Sequence, residues 1–151
     1  MTRDGAGAFT ALGVRALEAC DRADVLVVAV SERPREEVAA DARLLGIDDF
    51  VFDEGFVIAG EEHDLPVSAT RAEAIAAHAR ARRLARDECV GVGASLDMAP
   101  AVGAFWLAAE GAHDDPVVRI ELARHPNVRV TEDSHGPGVY EAVVTTLAER
   151  R

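Results

Sequence analysis

A chain of 151 residues with a formal charge of −11 and a sequence pI near 4.8 is one domain, long enough to bury a core. Its acidity excludes the clustered basic surface that a nucleic acid demands. Two cysteines, Cys20 and Cys89, are too few for a disulfide framework or a thiolate metal site, and no apolar run reaches membrane-spanning length, so a cytoplasmic protein with no membrane partner is expected.

The first residues, MTRDGAGA, are polar and glycine-rich, and lack the apolar core of a signal peptide. Phe9, Leu12, Ala16, Leu17 and Cys20 then recur at helical spacing, which predicts a first helix of about three turns. Residues 25–30, VLVVAV, are an unbroken, β-branched apolar run too short for a globular helix, and read as a strand covered on both faces. A polar turn, Ser31-Glu32-Arg33, follows it. Pro34 opens a helix that carries Glu36 and Glu37 near its positive end and stops at Gly46. In open parallel sheets ligands gather at the carboxyl ends of strands, so Ser31 and Arg33 stand where such a fold binds something; the plain alternative is a helix cap and a surface arginine.

Residues 50–52 predict a short strand, Asp53-Glu54-Gly55 a turn, and residues 56–59 an extended piece beyond it. Glu61, Glu62, His63 and Asp64 read as a solvated acidic loop, because adjacent residues rarely converge on one metal ion. Thr70 and Glu73 have capping-box spacing and predict a helix through Arg86, with Arg80, Arg82, Arg83 and Arg86 on its solvated face. Residues 89–92 predict a buried strand, followed by the small-residue turn Gly93-Ala94-Ser95-Leu96-Asp97, a brief helix over 98–102 and a strand over 105–107. The stretch 116–123 alternates like a strand, yet its setting before His125-Pro126 favours a helix. Residues 128–131 predict a last strand, Gly136-Pro137-Gly138 a turn, and Val139, Val143, Val144 and Leu147 the apolar face of a closing helix. Strands alternating with helices at this rhythm mean an α/β fold with a parallel sheet in three layers.

Four stretches, in this order, resemble the haloacid dehalogenase (HAD) superfamily, and within it the mannosyl-3-phosphoglycerate phosphatase branch. VAVSERPREEV is similar to that family's second motif, a strand ending in Ser or Thr, and residues 45–55 to its leucine-glycine stretch ending in a Glu-Asn-Gly turn. VGVGASLDMAPAV is similar to the fourth motif, and HPNVRVTEDSHGPGVYEAV to the closing strand and Gly-Pro-x-Gly turn. The resemblance implies a Rossmann-like HAD core spanning the chain. With only about ten residues (59–68) where members carry a cap, no cap domain is expected.

The same resemblance exposes what has drifted. Active members begin with a strand ending in Asp-x-Asp-Gly; here Asp4 falls on the general acid/base position, Thr2 on the nucleophile position, and no strand precedes them. The third-motif lysine corresponds to Arg71 in TRAEA, and the chain contains no lysine at all. The magnesium-binding aspartates align with Ala94 and with Asp97 or Met98, so Asp97 remains as a weak metal candidate. The implied first strand is central to the sheet, and its loss leaves two exposed edges or a gap, to be met by rearrangement or by pairing across a homodimer.

Phosphoryl transfer through an aspartyl phosphate needs a carboxylate nucleophile and a divalent ion. The leading expectation is therefore a phosphatase-like protein without phosphatase activity and without a cofactor. It would bind a small anionic or phosphorylated molecule, or a protein partner, through Ser31, Arg33, Arg71 and Ser95. Two alternatives stand beside it: an active magnesium-dependent phosphomonoesterase, and an enzyme repurposed for other chemistry with Asp4, Asp97 or His135 as acid or base.

Overall fold

The computed structural model describes residues 9–150, so Thr2 and Asp4 lie outside the described residues. Helix α1 (Ala11–Arg22) starts where the Thr10 hydroxyl accepts the Gly13 N–H at 3.0 Å, and buries Ala16 and Cys20. Strand β1 (Val28–Val30) is shorter than the apolar run that announces it. Residues 25–27 stay outside the ladder, and all three β1 residues are half-buried rather than enclosed. Helix α2 (Arg35–Leu45) follows with Pro34 at its N-cap, just outside the first turn, and Gly46 closes it at φ 69°, a left-handed conformation that glycine adopts without penalty.

Strands β2 (Asp49–Phe52), β3 (Gly55–Ile58) and β4 (Glu61–Asp64) form an antiparallel meander. The acidic stretch expected as a loop is therefore a strand: its backbone pairs with β3 and His63 stacks on Phe56 with ring centroids 4.9 Å apart. Its exposed carboxylates make a charged outer edge that discourages further pairing. Because β4 fills the short connection before α3, no cap domain interrupts the core.

Helix α3 (Arg71–Ala81) carries the expected capping box between Thr70 and Glu73. It ends at Ala81 rather than Arg86, since Arg82 is its C-cap and Arg83 takes φ 59°. A 3₁₀ turn (Arg86–Glu88) leads to β5 (Val90–Gly93), a second 3₁₀ turn (Leu96–Ala101) to β6 (Ala104–Leu107), and α4 (Pro116–Leu122) is the helix its setting favoured. Strand β7 (Val128–Val130) precedes α5 (His135–Glu149). Gly136, Pro137 and Gly138 lie inside the first turn of α5, not in a separate turn. The first N–H groups of a helix have no intrahelical acceptor, so proline costs nothing there. A Cβ on Gly136 would fall 1.6 Å from the Thr10 hydroxyl, so glycine is what lets α5 meet the start of α1.

The strands make two sheets: β1-β2-β3-β4, parallel only between β1 and β2, and a fully parallel β5-β6-β7. In the first, Phe50 and Phe52 face Val38 and Ala42 of α2, while the intervening Val51 joins Phe56 and Ala74 of α3 on the opposite face. In the second, Phe105 and Leu107 pack with Met98, Ala112 and the half-buried Ile75 and Val118. Trp106 points the other way and donates its Nε1–H to Thr146 of α5 at 3.0 Å. Helices thus cover both faces, and the molecule is a three-layer α/β fold with no cap. Phe105, Trp106 and Leu107 are core, at 0–4% exposure.

Candidate functional site

The carboxyl ends of β1 and β5 and the first turn of α3 converge on one crest. Arg71, the first residue of α3, reaches between the two strand ends: its Nη2 lies 2.6 Å from Glu32 Oε1, and its Nε 3.4 Å from Asp97 Oδ2. The Nε atom is buried and makes no hydrogen bond, so its contact with Asp97 is electrostatic attraction without directional bonding. Glu32 is 74% exposed, and so exposed a carboxylate is a partner that water or an anion displaces easily.

Ser31 and Arg33 form the second half of the crest. The Ser31 hydroxyl accepts the Arg33 backbone N–H at 3.1 Å and the Arg33 Nε–H at 3.2 Å. The other end of the guanidinium turns to α2, with Nη2 2.6 Å from Asp41 and Nη1 3.6 Å from Glu37. Arg33 is therefore a surface arginine tied to the helix that follows it, and Ser31 orients it. Ser95 caps the 3₁₀ turn, accepting the Asp97 N–H at 3.5 Å.

These side chains bear directly on the metal question. A magnesium ion needs several oxygen ligands in near-octahedral array. Asp97 is the one metal candidate within the described residues; it faces the Arg71 guanidinium, Ala94 offers no donor, and no cluster of three or more His, Cys, Asp or Glu side chains suited to a metal occurs among the described residues. The cation between the Glu32 and Asp97 carboxylates is an arginine, so the described residues do not fit the ion. His135 begins α5 at φ 52° and does not join the crest, and no acid or base role follows from its placement.

Below the crest, a cavity of about 870 Å³ runs between β1 and β5 and opens among Ser31, Arg33, Arg71 and Ser95. The structure thus brings together the four anion-binding candidates at one mouth. Cys20 and Cys89, both free thiols, line its interior, and burial pushes both thiols above their ordinary pKa, with Glu88 adding to the effect at Cys89.

The reading of the sequence missed the strongest polar cluster. Asp49 is fully buried and accepts from His78 Nε2 at 2.6 Å, from Arg82 Nε at 2.8 Å and Nη2 at 2.5 Å, and from the Ala59 N–H at 3.2 Å. Burial alone would raise its pKa; the hydrogen bonds from Arg82, His78 and Ala59, with the charge of Arg82, outweigh that and hold the carboxyl below its usual value. Arg82 was expected on a solvated face, and instead it anchors the meander to α3. Its sequence signal was faint: an aspartate opening a strand, and a histidine and an arginine four apart near a helix end.

No protein-family model matches the chain, and no curated protein sequence matches it significantly. Solved structures do share its fold. A Thermoplasma acidophilum protein superposes with a TM-score of 0.72 at 10% identity, covering 99% of this chain and 94% of that one. The cobalt-bound deoxy-D-mannose-octulosonate 8-phosphate phosphatase of Haemophilus influenzae gives 0.65 at 14% identity, covering 97% and 77%. A Streptomyces avermitilis protein assigned to the HAD hydrolase family gives 0.60 at 18%, covering 95% and 78%. The fold is that of the HAD-family hydrolases.

Proposed function

We propose that the chain is a HAD-superfamily, phosphatase-like protein that has lost phosphatase activity and binds a small phosphorylated or otherwise anionic molecule at its crest. One observation carries the reading: Asp97, the one metal candidate among the described residues, faces the guanidinium of Arg71 and has no second carboxylate beside it to complete a cage for a hard metal cation. Arginine neutralises charge, but it can neither polarise a bridging oxygen as a Lewis acid nor activate a bound water. What the crest retains is suited to binding. Ser31, Arg33, Arg71 and Ser95 share one mouth, and an anion entering there would replace the exposed Glu32 carboxylate as the partner of Arg71. The drifted motifs at Thr2, Asp4, Arg71, Ala94 and Asp97, and the likeness to the mannosyl-3-phosphoglycerate phosphatase branch, belong to the same proposal.

The test is phosphate release from a panel of phosphomonoesters, mannosyl-3-phosphoglycerate among them, with and without magnesium. We expect no turnover above that of Asp4→Asn. Metal-dependent turnover that disappears in Asp4→Asn would show that the machinery persists and would overturn the loss of activity. Calorimetric titration with inorganic phosphate tests the binding half: Arg71→Met should abolish whatever heat the native chain gives.

A further inference from the structure

The turn that carries Glu32 is held on both sides of that residue. Ser31 donates its N–H to Val51 O at 3.0 Å, and the Asp53 N–H reaches Arg33 O at 3.4 Å, so the backbone before and after Glu32 is pinned along β2. The Ser31 hydroxyl closes the turn a second time by accepting the Arg33 N–H at 3.1 Å. A carboxylate on so fixed a backbone is presented to Arg71 at high local concentration. Its side chain is nevertheless mostly exposed, and it leaves by rotation about its own bonds while the turn stays in place. Arg71 is the receiving group. Its Nη2 meets Glu32 Oε1 at 2.6 Å, while its Nε makes no hydrogen bond. The other guanidinium of the crest is committed, since Arg33 holds Asp41 at 2.6 Å and Ser31 Oγ at 3.2 Å. An anion that binds Arg71 through Nη2 therefore meets a carboxylate already there.

Given that the crest is an anion site, the reading on which this rests, we propose that Glu32 is a built-in competitor for it: a tethered carboxylate that closes the site in the free chain, swings out when ligand binds, and sets the ligand concentration at which that happens. A competitor tied to the site weakens every anion by the same factor, so the weakest ligands fall out first. A free monocarboxylate makes only the bond that Glu32 already makes, and it loses its translational freedom in doing so. A phosphoryl group brings up to two charges and three acceptor oxygens, so it can engage Nε as well as Nη2 and survive the competition. Glu32 thereby reserves Arg71 for phosphoryl-type anions without touching the bound ligand.

Sulfate is the probe, because it stays a dianion across the neutral range and has the tetrahedral oxygens of a phosphoryl group. It is titrated calorimetrically into the full chain and into Glu32→Gln, Glu149→Gln, Arg71→Met and the double variant Glu32→Gln/Arg71→Met. Glu149, the last residue of α5, is the control for net charge: it is exposed and paired with Arg129 at 2.9 Å, so its replacement removes the same charge and releases the same kind of partner. We expect Glu32→Gln to bind sulfate about fivefold tighter than the native chain, the scale of an exposed ion pair. Glu149→Gln should match the native chain, and both chains without Arg71 should give no heat. If the native chain binds and Arg71→Met does not, yet Glu32→Gln binds no tighter, the anion site stands and Glu32 is not its competitor. An equal gain in Glu149→Gln would overturn the proposal too, since net charge alone would account for it, and so would binding by the double variant. No heat even from Glu32→Gln would overturn the competitor and the anion site together.

Discussion

Helix α3 has an arginine working at each end, and the two ends differ in kind. At the C-cap, Arg82 makes a two-pronged contact with Asp49, a carboxylate that is 0% exposed and also holds His78 and the Ala59 N–H. Every strong acceptor there is used. At the amino end, Arg71 lies between Glu32 and Asp97 with its Nε buried and without a hydrogen bond. A saturated cluster holds a fold together, whereas an under-satisfied one near solvent is available to a ligand. One helix thus carries a saturated arginine at one end and an under-satisfied one at the other.

The largest effect should come from breaking the saturated end. Asp49→Asn keeps the volume but places an amide where four donors converge, and removing one partner of a buried ion pair costs about 3–5 kcal/mol. Urea unfolding of the variant measures it, and a loss under about 1 kcal/mol would refute the scaffold role. The pH dependence sharpens the same point. The folded pKa of Asp49 is depressed, so its contribution is complete above the unfolded value of about 3.9 and is lost as pH falls through the lower folded value. The native chain should therefore lose stability in acid, and Asp49→Asn should lose less over the same window. Parallel acid profiles for the two proteins would sink this assignment.

Much of this contrast could not be read from the sequence. Local signals were legible: the capping box at Thr70, Gly46 ending α2, and the β-branched strands all appear within a residue or a few of their expected bounds. Ser31, Arg33, Arg71 and Ser95, named from the sequence, all line one cavity. What failed depended on distant partners. Residues 61–64 carry no apolar pattern, and they become a strand because β3 offers an edge to pair with. Arg82 looked solvated because its partner lies thirty-three residues earlier. The extent of β1 was overstated because an apolar run implies a fully enclosed strand, and here one flank of that strand opens on the cavity.

Smaller effects separate the helix from its two ends. Thr70→Ala removes the hydroxyl that accepts the Glu73 N–H at 3.2 Å, and should cost about 1 kcal/mol. A thermal scan reads that loss, and the double variant with Asp49→Asn should be additive within about 0.5 kcal/mol if the two ends act independently.

Arg71→Met is the smallest change in stability and the most informative about the site. Its guanidinium pays for burial of an unpaired Nε while gaining contacts with two exposed carboxylates, so the net contribution to folding should be within about 0.5 kcal/mol of zero. Methionine keeps the length of the stem and its packing, so any lost phosphate binding can be assigned to the charge. Arg82→Met should show the opposite pattern: clear destabilisation, with phosphate binding intact in whatever fraction remains folded. If Arg71→Met unfolds the chain as Asp49→Asn does, the amino end of α3 is scaffold too, and the anion site must be sought among other groups of the mouth.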